Sequence, residues 1–197
     1  MTAQMEEILI YDGEEMDMSF CPPIKEHPRI IEHSEEELEE RAENEEDFPS
    51  FVFSTDCWRG YQGTWEIKDG RFYLVGLAGR LELQGDKSIF ADWFTGILRV
   101  TRGEMLHYVH MGFGSIFEEE LHIKIEKGIV KKTAIIDNRN KEFDEYALTW
   151  SNMPGGENRF PGDEDIYPNE RRKLHYMKTA IRPARKSQEV LEEIRED

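Results

Sequence analysis

Cysteine is scarce in this chain, and so is positive charge. Among 197 residues only Cys21 and Cys57 carry thiols, far apart in sequence and outside any C-x-x-C pair. That spacing excludes a disulfide-stapled scaffold and a thioredoxin-like motif, and two such thiols in a reducing compartment are expected to be free. Lysine and arginine together number 25 against 42 aspartates and glutamates, a formal net charge of −17. A field of that sign opposes phosphate backbones and anionic lipid, so neither nucleic acid nor a membrane is an expected partner. Long apolar runs are missing too. Nothing approaches the roughly 20 residues of a membrane-spanning helix. The start, Met1-Thr2-Ala3-Gln4-Met5-Glu6-Glu7, has neither the basic end nor the apolar stretch of a secretory signal. The cytosol is the expected compartment.

What is present is an aromatic, glycine-punctuated middle from Phe51 to Asn138, in a chain that is 38% hydrophobic and 34% charged. This composition describes one folded domain with polar attachments at its ends. Glu7 to Phe20 reads as a hairpin around Asp12-Gly13, closed by Cys21-Pro22-Pro23. In the glutamate-dominated stretch Glu32 to Asp47, Ser34 with Glu37 fits a capping box and Glu37 with Arg41 an i,i+4 pair. The segment is a surface helix or, given its carboxylate repulsion, a solvated linker.

Asp69-Gly70, Arg102-Gly103 and Lys127-Gly128 each sit between strand-like runs and predict three further hairpins. In that reading Tyr61 to Lys68 pairs with Arg71 to Leu77, Gly96 to Thr101 with Glu104 to Met111, and Leu121 to Glu126 with Ile129 to Ile136. The predicted fold is mainly β: a curved antiparallel sheet or partly closed β-barrel, with a short acidic N-terminal helix and a loop-rich C-terminal extension. Residues 1–50 are assigned to a hairpin and acidic helix or linker packed on the core, 51–138 to a β-meander core, and 139–197 to the extension. In that extension Trp150, Phe160, Ile166 and Tyr167 are candidate anchors, a basic stretch runs from Arg171 to Lys186, and a short acidic helix begins near Ser187.

Two constellations invite chemistry. Trp58, Arg59 and Tyr61 with Asp92 and Trp93 can form a ligand pocket in which Arg59 stacks on an indole or pairs with Asp92; a buried aromatic cluster with one satisfied ion pair explains the same residues. His107 and His110 have the spacing of a metal-binding pair on a helix, but on a strand an odd separation sends them to opposite faces. If Gly112-Phe113-Gly114 is the turn, His107 comes near Glu118 and His110 near Ser115, an oriented base or an ordinary cross-strand polar pair. The glycines of Met111-Gly112-Phe113-Gly114-Ser115 lack the lysine, the helix and the longer pattern of a phosphate loop. No metal and no cofactor are expected.

The motifs Trp58-Arg59-Gly60-Tyr61 with Trp65-Glu66-Ile67, Ala91-Asp92-Trp93-Phe94-Thr95-Gly96, and Tyr108-Val109-His110-Met111-Gly112-Phe113-Gly114-Ser115 resemble a group of small bacterial proteins of uncharacterised function. The resemblance covers about Ser54 to Asn138 and implies a shared fold, with no activity and no site residues to carry over. The functional expectation is an acidic cytosolic protein that captures, neutralises or assists a basic protein partner. The alternative is a small-molecule-binding barrel or enzyme using an Arg/Asp/Trp/His pocket.

Overall fold

The computed structural model describes residues 2–110 and 112–140. In chain order its elements are β1 (Glu7–Tyr11), β2 (Glu14–Met18), β3 (Ile30–Glu32), α1 (Glu35–Asn44), a 3-10 helix (Ser50–Phe53), β4 (Tyr61–Lys68), β5 (Arg71–Gly79), β6 (Leu81–Leu83), β7 (Ile89–Phe90), β8 (Gly96–His107), β9 (Ile116–Glu126) and β10 (Ile129–Asp137).

Three tight turns organise the sheet. Asp12-Gly13, Asp69-Gly70 and Lys127-Gly128 each hold both residues at positive φ, 52° and 81°, 51° and 69°, 48° and 74°. That conformation matches the right-handed twist of the flanking strands. The turns join β1 to β2, β4 to β5 and β9 to β10, as the sequence predicts. Arg102-Gly103 behaves otherwise. Only Gly103 has positive φ, 77°, and the pair lies inside β8, where the register against β9 shifts between Arg102 and Met105. The expected hairpin between Gly96–Thr101 and Glu104–Met111 is therefore a bulge in one long strand. A glycine at positive φ serves both features, and a turn of the first kind needs a second residue there as well.

Seven strands close into a barrel in the order β10-β9-β8-β2-β1-β4-β5, with β10 returning to β5 where Ile129 lies opposite Arg71. β7 adds to the outer edge of β5. The barrel takes two of its seven strands from residues 1–50, a stretch the sequence reading sets beside the core, so residues 51–138 are not a self-contained meander. β1 runs parallel to β4, with Ile8 opposite Thr64 and Leu9 opposite Trp65, and β2 meets β8 with Met18 opposite Val100.

Alternation along the strands fills the interior. Leu9, Met18, Trp65, Phe72, Leu74, Leu98, Val100, Ile123 and Ile125 are fully enclosed. The Trp65 and Phe72 rings stack with centroids 4.7 Å apart, and Phe94 tilts against Phe72 at 5.4 Å. The acidic stretch is a helix. Ser34 caps α1 by a reciprocal box with Glu37, Leu38 is its buried residue, and Arg41 reaches Glu82 of β6 at 3.3 Å. Among the described residues no helix is long and apolar enough to cross a membrane. The anchors, basic stretch and terminal helix expected after Asn140 lie outside the described residues.

Candidate functional site

The parallel pairing of β1 with β4 creates the most unusual chemical environment in the barrel. With Leu9 opposite Trp65, the inward residue two positions earlier on β1 is Glu7, and its neighbour on β4 is Gly63. A β-carbon at Gly63 would stand 2.5 Å from Glu7 Oε2 and 2.7 Å from Trp65 Nε1, so only glycine leaves space for the carboxyl. Glu7 is fully buried there. Trp65 Nε1–H donates to Glu7 Oε2 at 2.5 Å, and Arg59 Nε lies 3.3 Å from Glu7 Oε1 with its side chain 9% exposed. Arg59 Nη2 donates to the Met5 carbonyl at 2.9 Å, and the guanidinium sits 5.7 Å from the Tyr61 ring centroid. Both thiols belong to the same cluster. Cys21 hydrogen-bonds Glu7, and Cys57 Sγ–H donates to the Tyr61 carbonyl at 3.3 Å.

Burial sets the protonation of the cluster. It pushes the Glu7 carboxyl up to about 7, against the opposing effects of the Trp65 hydrogen bond and the Arg59 charge. Burial next to Glu7 raises the Cys21 thiol and the Tyr61 phenol to about 12 each, and burial lifts Cys57 as well. Thiols raised in this way are protonated at neutral pH and poor nucleophiles, so both remain free cysteines of low reactivity. Glu7 Oε1, Arg59 Nε and Arg59 Nη1 are buried without a hydrogen-bond partner. Oε1 and Nε still face each other as an ion pair at 3.3 Å, so the cost of an unmatched buried group, about 1–3 kcal/mol or more when charged, falls on Nη1, as it does on His122 Nδ1 in β9.

The residues singled out from sequence disperse. Arg59 and Tyr61 meet at this cluster, but Trp58 is 73% exposed beside them in sequence, its N–H bonded to Gln4 Oε1. Asp92 pairs with Lys25 at 3.9 Å and Trp93 donates to the Pro23 carbonyl at 2.9 Å, so Arg59 takes Glu7 in place of the expected Asp92. The bulge in β8 also changes the histidine register. His107 stands opposite Ile116, Glu118 accepts from the Glu104 amide at 3.2 Å, and His110 bonds the Tyr108 hydroxyl at 2.8 Å while Ser115 Oγ receives the Val109 amide. Neither expected His–Glu nor His–Ser pair forms.

A second polar cluster lies on strands β8 and β9. Arg99 forks onto Glu120, Nε to Oε2 at 2.9 Å and Nη2 to Oε1 at 2.8 Å, and also donates to the Phe113 and Ser115 carbonyls. His122 and Asn138 complete the carboxylate's partners. Burial works against the charged form of Glu120, but the His122 hydrogen bond and the Arg99 charge prevail and hold it at about 2. The carboxylate and guanidinium are well matched, and Arg99 ties the Phe113 and Ser115 backbone to the barrel wall. Glu7 and Cys21 are absent from the sequence candidates, because Ile8, Leu9, Ile10 and Tyr11 are apolar on both faces and give no sign of which way Glu7 points. Among the described residues no cluster of His, Cys, Asp and Glu is arranged to hold a metal ion. Comparison of the chain with protein-family models, with curated proteins and with solved structures finds no match, so the site is read from its own geometry.

Proposed function

We propose that this protein is a small-molecule-binding β-barrel whose polar contacts are Glu7 and Arg59. The observation that carries the reading is a buried ion pair, Glu7 with Arg59, that leaves Arg59 Nη1 without a hydrogen-bond partner beside the apolar core residue Trp65. Closed barrels can hold ligands because the wall supplies a rigid apolar surround and a few polar groups fix orientation. The wider pocket of Arg59, Asp92, Trp93 and His110 reduces in this reading to Arg59 and Tyr61 with the newly placed Glu7. A thermal-shift screen of metabolites against the intact protein tests it. Hits that vanish in Arg59→Lys and persist in His110→Ala support the site; a screen without hits, or hits indifferent to Arg59→Lys, removes it.

A second reading, capture of a basic protein partner, is favoured by the outward carboxylates of α1, where Glu35, Glu36, Glu39, Glu40 and Glu43 are all exposed. Charge of this kind steers encounter and weakens with salt. A pull-down from native cytosol, the compartment this reading assumes, should return a basic partner at low salt and less of it at moderate salt. Background alone at both would dismiss the idea.

A further inference from the structure

Resting on the small-molecule reading above, we infer that the Glu7–Arg59 site takes an uncharged ligand edge carrying an N–H donor beside a carbonyl acceptor, as in a lactam, a cyclic urea or a primary amide. The argument begins with charge. The carboxylate and guanidinium stand 3.3 Å apart and offset one another. An added anion would face Glu7 and an added cation Arg59, each buried away from bulk solvent. A neutral group meets neither objection.

The hydrogen-bond inventory then narrows the choice. Glu7 Oε2 is occupied by the Trp65 indole and Arg59 Nη2 by the Met5 carbonyl; Glu7 Oε1 and Arg59 Nε face each other at 3.3 Å without an aligned hydrogen bond, so Oε1 keeps an open acceptor position and Nη1 an open donor. The complementary ligand donates to the first and accepts from the second through adjacent atoms, as N–H and C=O do in an amide edge. The Tyr61 ring, the edge of the Trp65 indole and the protonated Cys21 and Cys57 thiols flank these atoms with flat or weakly polar groups.

A proton link follows from the same contacts. Ligand N–H donation selects the ionised Glu7, whose carboxyl lies at about 7, so binding releases a proton. Cys21, Cys57 and Tyr61 stay neutral through this range, leaving Glu7 as the titrating member of the cluster. Affinity for a lactam should rise about tenfold from pH 6 to pH 8.

The test is a titration of the full-length, 15N-labelled protein with 2-imidazolidinone, 2-pyrrolidinone, N-methyl-2-pyrrolidinone and cyclopentanecarboxylate, read at the Trp65 indole N–H. The first two should move that signal saturably, and the N-methylated lactam should bind about tenfold more weakly for want of its donor. Equal binding of the N-methylated compound, tighter binding of the carboxylate, or affinity that falls with pH would overturn the ligand class while leaving an occupied barrel site. An indole signal that neither these probes nor any Arg59-dependent screening hit displaces would overturn both, and would assign the unpartnered atoms to ordered water only.

Discussion

A carboxyl with an ordinary value of 4.5 that sits at about 7 in the folded barrel makes Glu7 a source of pH-dependent stability. Between those values the folded chain binds more protons than the unfolded one, so stability falls as pH rises. The Glu7 contribution is complete below about 4.5 and lost above about 7, a span worth about 3 kcal/mol. Glu7→Gln should remove this slope, and urea unfolding at pH 5, 6, 7 and 8 should show the wild-type protein losing ground to the variant across that window. Parallel profiles would contradict the buried, proton-holding carboxyl. Glu120 has the opposite sign. Held at about 2, it contributes above 4.5 and its contribution disappears as pH falls from there toward 2. Because Arg99 is enclosed with it, Glu120→Gln should cost about 3 kcal/mol at pH 7 and flatten the acid limb of the stability profile. The sequence offers Arg59 as a candidate through its aromatic neighbours but conceals Glu7. Glu7-Ile8-Leu9-Ile10-Tyr11 is apolar on both parities after its first residue, so alternation cannot assign the glutamate to either face.

Turn chemistry governs the elements. Gly13 and Gly128 have similar positive φ, 81° and 74°, yet a β-carbon at Gly13 meets nothing within 4 Å, whereas one at Gly128 would lie 2.7 Å from the Ala91 carbonyl and 2.8 Å from the Phe90 ring. Gly13→Ala should cost about 1 kcal/mol from conformation alone, and Gly128→Ala about 3 kcal/mol, because backbone must also move. Chemical denaturation of the two variants checks the order; equal losses would show that the seam near Phe90 yields freely. Ser34→Ala should cost about 1 kcal/mol by removing one half of the α1 capping box, with a matching loss of helical signal near the midpoint. These elements are the legible part of the fold. Asp-Gly and Lys-Gly turns and the Ser34–Glu37 spacing are local, and local chemistry is written in adjacent residues. Arg102-Gly103 was misread for the same reason: a bulge and a turn share a glycine, and the partner strand β9 decides between them.

Across the barrel, closure is a narrow link in the wall, registered like the β2–β8 seam at a single pair. β10 meets β5 at one registered pair, Ile129 with Arg71, supported by Val130 N–H to the Gly70 carbonyl at 2.9 Å and Phe72 N–H to the Gly128 carbonyl at 2.8 Å. β4 and β5, by contrast, are paired along nearly their full length. Opening should therefore begin at this seam, and hydrogen exchange of the Val130 amide should run about tenfold or more ahead of the β4–β5 hairpin amides. Uniform protection would mean that the barrel opens only as a unit. By itself the sequence determined a mainly β fold, its three tight hairpins, the capped acidic helix and the net charge, since each depends on neighbouring residues or on composition. The tertiary structure alone decided that β1 lies parallel to β4, that β10 closes on β5, and that Glu7 shares a buried cluster with Arg59 and both cysteines. Apart from Glu7 with Cys21, those contacts join residues about 50 or more positions apart, and which distant strands meet depends on how their buried faces fit together.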